Sequence, residues 1–312
     1  MILVTGGSGF VGSHIVRRLV AEEKEVRVLI RNKERAEREH RLEGLDIDWI
    51  EGDVLRPETL SKAMENINAV VHTVAIAIEK GNQTFEKINV LGTVNVVDTA
   101  VRSNVKRLIN LSQLGADPSL PYRFMASKGK AQEYVANSAL DWTAFRPSVI
   151  WGPEDEFANT FGRLVQFTPM IFPIIGDETT RFQPVWVDDV AEAIAKSIDD
   201  PKTIKREFEL GGPEILTLEE IERRTLEAMN AKRWMIRFPL PLLRIIVGLM
   251  EGLLPSPPVT GSLLELLAVS NVVSKNALPK FVSNPQPFTP ENIAPYMQTF
   301  RIKSTLAQYF RR

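Results

Sequence analysis

The chain has no cysteine among its 312 residues. Disulfides, thiolate nucleophiles and cysteine-ligated metals are therefore excluded. Histidine is nearly as scarce, with only His14, His40 and His72. No two of them share a ligand spacing, so neither a metal site nor a histidine-centred triad is expected. An excess of charge of one sign is also lacking, since the formal net charge is -1. That gives no whole-chain basis for binding nucleic acid, and no such partner is expected. No apolar run reaches the roughly 20 residues needed to span a bilayer. The first strand is predicted to begin at Met1, so no signal or transit peptide is expected. The expected location is cytoplasmic, with peripheral attachment at a membrane left open by one apolar segment near the C-terminus.

What is present is a globular composition, 44% hydrophobic and 25% charged. The length suits two domains, or one with a sizeable extension. Met1 to Val4 is an apolar run of strand length. Thr5-Gly6-Gly7-Ser8-Gly9-Phe10-Val11-Gly12 follows directly, and Ser13 to Val20 has helical spacing. Strand, glycine turn and helix in this order form a dinucleotide cradle. Gly6 permits the tight turn, Gly9 lets the backbone approach a pyrophosphate, and Gly12 lets helix and strand pack closely. Phe10 and Val11 open the helix, whose free N–H groups favour phosphate.

Val26 to Arg31 is the second strand. An acid at its end would bind a ribose diol, whereas an arginine accommodates a 2′-phosphate. This chain has Arg31 and no acid there, so NADP(H) is favoured and NAD(H) is the less favoured cofactor. Glu34 to Leu42 reads as a charged, solvated helix. Ile47 to Val54 is the third strand with its loop. Asp53 is a candidate acceptor for an adenine amino group, and Val54 a candidate for packing on the ring. Ala69 to Ala75 is a buried fourth strand whose end, Thr73-Val74-Ala75, should lie beside the cofactor. His72 on it reads as structural, since no acid partners it. Phe85 to Ser103 is predicted as one long helix, Arg107 to Ser112 as the fifth strand, Tyr122 to Ala136 as the next helix, and Trp142 to Ile150 as the sixth strand. Pro147, Ser148 and Val149, at the end of that strand, are further cofactor candidates. Strands alternating with helices imply an α/β fold, a doubly wound parallel sheet with helices on both faces.

With these segments assembled, the chain resembles the short-chain dehydrogenase/reductase superfamily in its extended and atypical branches. The matching stretches are Thr5 to Gly12, Gly52 to Val54, Asn89 to Thr93, Phe145 to Pro153, Pro184 to Ala191 and Phe208 to Pro213. They follow the family's order over roughly the first two-thirds of the chain. The resemblance implies a catalytic Ser, Tyr and Lys, with Tyr and Lys one helical turn apart. The Tyr hydroxyl would move a proton to or from the substrate oxygen, and the Lys would lower the Tyr pKa and hold the nicotinamide ribose. Ser112 matches the Ser and Lys128 the Lys. Four residues before Lys128 stands Phe124, so the Tyr is missing. Tyr122 is an alternative donor, but two residues on a helix is roughly 200° of rotation, which points it away.

The C-terminal third and Ser112 to Asp117 resemble the atypical branch that contains the Rossmann-fold accessory subunit of respiratory complex I and its bacterial relatives. Related proteins serve photosystem assembly. That likeness implies an NADP(H) held structurally, with a weakly catalytic or non-catalytic protein that assembles or stabilises a membrane-associated electron-transfer complex. The competing function is an active NADP-dependent oxidoreductase or epimerase-type enzyme on a small substrate. The segment 238–269 is apolar but interrupted by Arg244, Glu251 and Pro255 to Pro258. It is a candidate docking surface for a membrane or a membrane-bound respiratory complex; the other reading makes it the core of the second domain. The expected architecture is a Rossmann domain over 1–155 with a return segment at 184–204. A smaller α-rich substrate or docking domain is expected over 156–183 and 205–312. The return segment should supply a short strand, a cap at Asp188 or Asp189, and a helix through Ile194 and Ile198. The ligand crevice is expected at the carboxyl ends of the strands, between the domains.

Overall fold

The computed structural model describes residues 1–174, 179–238, 245, 247–249, 252–253, 261, 267 and 269–298. The chain forms two compact units. The first is Met1–Pro147, Val187–Leu210 and Ser274–Asn284; the second is Ser148–Trp186, Gly211–Val273 and Pro285–Arg312.

The first unit is built on a seven-stranded parallel sheet. Its strands are β1 (Ile2–Thr5), β2 (Val26–Ile30), β3 (Asp48–Glu51), β4 (Ala69–His72), β5 (Arg107–Leu111), β6 (Asp141–Pro147) and β11 (Arg206–Leu210). The order is β11-β6-β5-β4-β1-β2-β3. The chain winds outward from β1 to β3, then crosses back to β4 and winds the other way. This reversal beside β1 is the topological switch point at which open α/β sheets bind ligands.

Alternation along the strands distributes the core. Leu3 and Leu29 join one cluster with Leu60, Val96, Val97, Ala100 and Val135. Those residues come from α3 (Pro57–Ala63), α4 (Gly92–Arg102) and α5 (Arg123–Ala136). The alternate residues Val4 and Val28 instead meet Val16 around Gly7. Val16 belongs to α1 (Phe10–Ala21), which packs beside α7 (Val187–Ile198). Period-two side-chain alternation thus covers both sheet faces. The charged stretch after Arg31 forms a shorter helix than expected, α2 (Lys33–Arg38), capped by Asn32 and burying only Ala36.

Three expectations are corrected here. Phe85 to Ser103 is not one regular helix, because Glu86–Leu91 is a π-helical turn that runs into α4. The seventh strand of the sheet is Arg206–Leu210, a stretch the sequence reading placed in the second domain; it pairs with β6, Phe208 opposite Phe145. The short strand of the return segment, β10 (Val185–Trp186), instead pairs with β7 (Ile150–Trp151) inside the second unit. The rest of that segment, its helix and the turn after it, belongs to the sheet unit, and Asp188 and Asp189 lie in the first turn of the helix.

The second unit packs α6 (Ala158–Val165), α8 (Leu218–Ala228) and the helix Pro290–Met297 around Trp151, Phe161, Phe172, Leu218, Ile221, Phe288 and Ile293. Two-stranded ribbons complete it: β7 with β10, β9 (Arg181–Phe182) with β12 (Leu216–Thr217), and β8 (Ile171–Ile174) with β13 (Trp234–Arg237). A capping box between Thr217 and Glu220 starts α8.

Candidate cofactor-binding site

The glycine turn lies at the carboxyl end of β1. Gly6 sits at φ +77°, a conformation that side chains with a Cβ rarely adopt. Its carbonyl accepts from the Gly9 amide at 2.9 Å, closing the turn. A Cβ on Gly12 would stand 2.1 Å from that same carbonyl, so only glycine fits. Gly9 is the extended N-cap of α1, and Phe10, Val11 and Gly12 form the helix's first turn, which carries no acid. The cradle is thus a helix N-terminus with free positive potential aimed out of the sheet edge. Thr73 closes the other side. Its amide and hydroxyl both donate to the Thr5 carbonyl, and a Cβ on Gly6 would meet Thr73 Oγ1 and Val74. Ala75 is exposed beyond them.

His72 is buried between two threonines. Thr93 Oγ1 donates to the Asn89 carbonyl at 2.7 Å and stands 3.0 Å from His72 Nε2. Nε2 is therefore the donor, and Nδ1 accepts from Thr5 Oγ1 at 2.7 Å. Burial, with the Lys128 ammonium as a lesser cause, pulls the imidazole down to about 3. It is a neutral, fully partnered core group.

Asn89 sits on the π-helical turn. Its side chain accepts from the Ile76 amide and donates to the Ile76 carbonyl, at 2.8 and 3.1 Å, and donates to Ser127 Oγ at 3.0 Å. It clamps the loop that follows β4 onto α5. The sequence pattern alone gives Asn89 no role, because its partners lie 13 and 38 residues away.

Ser112 and Lys128 come together. Lys128 Nζ donates to the carbonyl of Leu111, the residue before Ser112, at 2.8 Å. Burial lowers its pKa to about 8. Ser112 Oγ is buried and has no hydrogen-bond partner in the protein. A buried hydroxyl without a partner costs roughly 1–3 kcal/mol, so its presence at a strand end fits a site meant to receive a polar ligand. The glycine cradle and this unpartnered hydroxyl both suit a dinucleotide. Phe124 is half-buried, with its ring 5.7 Å from that of Phe85. It offers no proton. Tyr122 stands outside the helix as its extended N-cap and is exposed, so the helical rotation argued above does not govern it.

The remaining candidates divide. Arg31 is exposed at the end of β2. Asp53 Oδ1 accepts from the Leu55 amide, and Val54 is buried in the core beneath Gly92. Pro147 ends β6, and its carbonyl accepts from Leu114. Ser148 Oγ donates to the Gln183 carbonyl, and the Val149 amide donates to Asn271 Oδ1, both within the second unit. One residue was missed outright. Arg41 Nη1 donates to the carbonyl of Ser8, in the glycine turn, at 2.9 Å. Nothing in the sequence marks it, because it falls within the stretch Glu34 to Leu42 expected as a charged, solvated helix and is brought to the turn only by the fold. Among the described residues no group of three His, Asp or Glu is placed to hold a metal ion.

Fold and site together define a dinucleotide-binding α/β protein. The family model described as NAD(P)H-binding matches residues 6–201, and the chain belongs to that family. Among curated relatives, it is 28% identical to the mitochondrial NADH dehydrogenase [ubiquinone] 1 alpha subcomplex subunit 9 of Arabidopsis thaliana, over 88% of this chain and 71% of that one. It is 26% identical to the photosystem II assembly factor Ycf39 of Guillardia theta, over 88% of this chain and 83% of that one. A solved structure described as MoeE5 in complex with UDP-glucose and NAD shares the fold, with TM-score 0.71 and 19% identity, over 95% of this chain and 97% of that one.

Proposed function

We propose that this chain holds NADP(H) in preference to NAD(H). We further propose that it is weakly catalytic or non-catalytic, with an assembly or stabilising role beside a membrane-associated electron-transfer complex. The observation that carries the reading is Phe124. The cradle, Ser112 and Lys128 are in place, yet the position one turn before Lys128 has no hydroxyl. Lys128 would hold the nicotinamide ribose, Ser112 would meet a polar group of the ligand, and the first turn of α1 would receive the pyrophosphate. A bound dinucleotide supplies hydride chemistry; position 124, one turn before Lys128, supplies no phenol to move the accompanying proton.

Arg31 and Arg41 support the NADP(H) preference. The first ends β2, and the second is tied to Ser8 of the turn. Glu39 also accepts from Arg41, at 3.4 Å, so an incoming phosphate competes with that carboxylate. The relatives support the assembly role, one being named as a respiratory subunit and another as an assembly factor. The expected setting is cytoplasmic and peripheral to a membrane. No helix of the described residues is long and apolar enough to cross one. Most of the segment 238–269, the candidate docking surface, lies outside the described residues. Of those described, Val247 and Leu267 are buried in the core of the second unit, whereas Ile245, Leu249 and Leu253 recur every four residues and are 62%, 61% and 79% exposed. That favours docking over core at these positions.

The second reading, an NADP-dependent oxidoreductase or epimerase-type enzyme, has one observation in its favour. Tyr122 is free of the helix and exposed, so it retains the freedom to act as donor. Turnover of a panel of carbonyl substrates with NADPH separates the two. Wild type is expected to be nearly inactive, and Phe124→Tyr to gain activity toward the ~100- to 10,000-fold typical of general acid catalysis. Wild-type turnover abolished by Tyr122→Phe would establish the enzyme instead.

A further inference from the structure

The ribbon of β8 and β13 departs from the usual patterning of a surface ribbon. Its strands are parallel, with Ile171 opposite Trp234, Phe172 opposite Met235 and Pro173 opposite Ile236. Side chains alternate between faces, so Phe172 turns inward, where it is fully buried. The outward face should then be polar. It is not. Ile171, Pro173, Trp234 and Ile236 occupy it, with Met170 next to them. Trp234 is 70% exposed and Met170 65%, among the most exposed large apolar side chains described.

The charges on the two strands and the residues flanking them are of one sign. Across 167–174 and 231–238 there are three charged residues, Lys232, Arg233 and Arg237, and all are cations. Arg233 Nε is anchored on the Thr168 carbonyl, which holds its guanidinium beside the ribbon. A groove of about 780 Å³ runs along the same edge. It is lined by Met170, Leu226 and Trp234, with Arg223, Lys232 and Arg233 as its cations and Glu227 as its one acid. Glu219, one helical turn from Arg223, bonds both Arg223 and Arg237; with Lys232 and Arg233 these make four cations against Glu219 and Glu227, an excess of two positive charges.

We infer that this face docks on the surface of an anionic lipid bilayer. An exposed tryptophan with aliphatic neighbours suits the headgroup boundary, where one part of the ring is apolar and the indole N–H stays wet. Flanking lysine and arginine suit anionic headgroups and keep their charges in water while their stems lie on apolar surface. The pairing of the two strands holds these groups side by side on one face. The inference stands on residues outside 238–269 and goes beyond the docking reading given for that segment.

The test is flotation of the full chain with vesicles of phosphatidylcholine alone, and with vesicles containing one-third phosphatidylglycerol. Wild type is expected to float with the anionic vesicles and much less with the neutral ones. Trp234→Ser with Met170→Ser, and separately Lys232→Gln, should each reduce the bound fraction. One removed cation near a charged surface corresponds to roughly a fivefold weakening. These positions are exposed, so an unchanged unfolding midpoint and unchanged dinucleotide affinity report an intact fold. Wild type that ignores anionic vesicles overturns the inference and leaves the face to a protein partner. Equal binding to both vesicle types overturns the charge argument. Leu249→Glu separates this inference from the other reading. If it abolishes flotation while the ribbon variants float like wild type, the segment 238–269 docks and the ribbon does not.

Discussion

His72 shows how a single residue's environment decides its chemistry. It lies at the end of β4, close to the cofactor candidates, where an imidazole would be a natural proton carrier. Enclosure between Thr5 and Thr93 makes it a neutral strut instead. Its folded pKa of about 3 lies below the ordinary value of 6.5. Between those values the unfolded chain binds a proton that the folded chain does not. Stability must therefore fall as pH drops from about 6.5 toward 3, by at most about 5 kcal/mol from this residue. Urea denaturation at pH 7, 5 and 4 should show a steep acid loss in wild type and a shallower one in His72→Gln. Identical pH slopes would contradict the assignment. The absence of an acidic partner for His72 was legible in the sequence; the two hydroxyls were not, because they lie 67 and 21 residues away.

At the scale of elements, the strand–turn–helix of residues 2–21 carries the site. Its glycines act through contact as well as conformation. Gly12→Ala places a methyl group 2.1 Å from the Gly6 carbonyl, and backbone on both sides leaves nothing to yield. Overpacking of this kind costs about 1–3 kcal/mol, and the turn proposed to receive the pyrophosphate must open. Dinucleotide affinity measured by calorimetry should collapse in Gly12→Ala. Gly81→Ala is the comparison: Gly81 also has a positive φ, +56°, but open space around it. That change should cost about 1 kcal/mol from conformation alone and leave affinity unchanged. Comparable affinity loss in both variants would refute the contact argument. The strand and helix around these glycines were readable from local pattern. The π-helical turn at Glu86–Leu91 was not, since its backbone bonding differs from that of the α-helix it runs into while the residue pattern does not.

For the whole molecule, a ligand that binds only the folded state adds stability by mass action, about 2.7 kcal/mol at a concentration one hundred times its dissociation constant. NADPH should raise the thermal unfolding midpoint more than NADH at equal concentration. Arg31→Ala and Arg41→Ala should each narrow that difference, through loss of roughly tenfold in NADPH affinity, while leaving the NADH shift in place. Equal shifts from the two cofactors in wild type would rule out the preference. Arg107 illustrates how the sheet unit coheres at long range. It is buried and donates to the carbonyls of Asp141, Ser197 and Ile198 and to the hydroxyls of Thr143 and Thr203. One side chain thereby joins two strands of the sheet to the end of α7 and the turn after it.

The sequence by itself determined the parallel α/β class, the glycine turn, the Ser112 and Lys128 positions and the Phe124 replacement. The class and the glycine turn rest on local spacing, period two along strands and 3.6 along helices; the Ser112, Lys128 and Phe124 readings rest on the resemblance to a known family. The tertiary structure decided what depends on residues distant in the chain. Arg206–Leu210 became the seventh strand because its partner is Asp141–Pro147, roughly sixty residues earlier. Arg41 reached the glycine turn only because α2 and the turn after it fold back toward β1. Trp234 and Met170 became neighbours only through the pairing of β13 with β8. The physical reason is the same throughout: backbone pattern is encoded locally, whereas which side chains share a surface is set by strand pairing and packing across long stretches of chain.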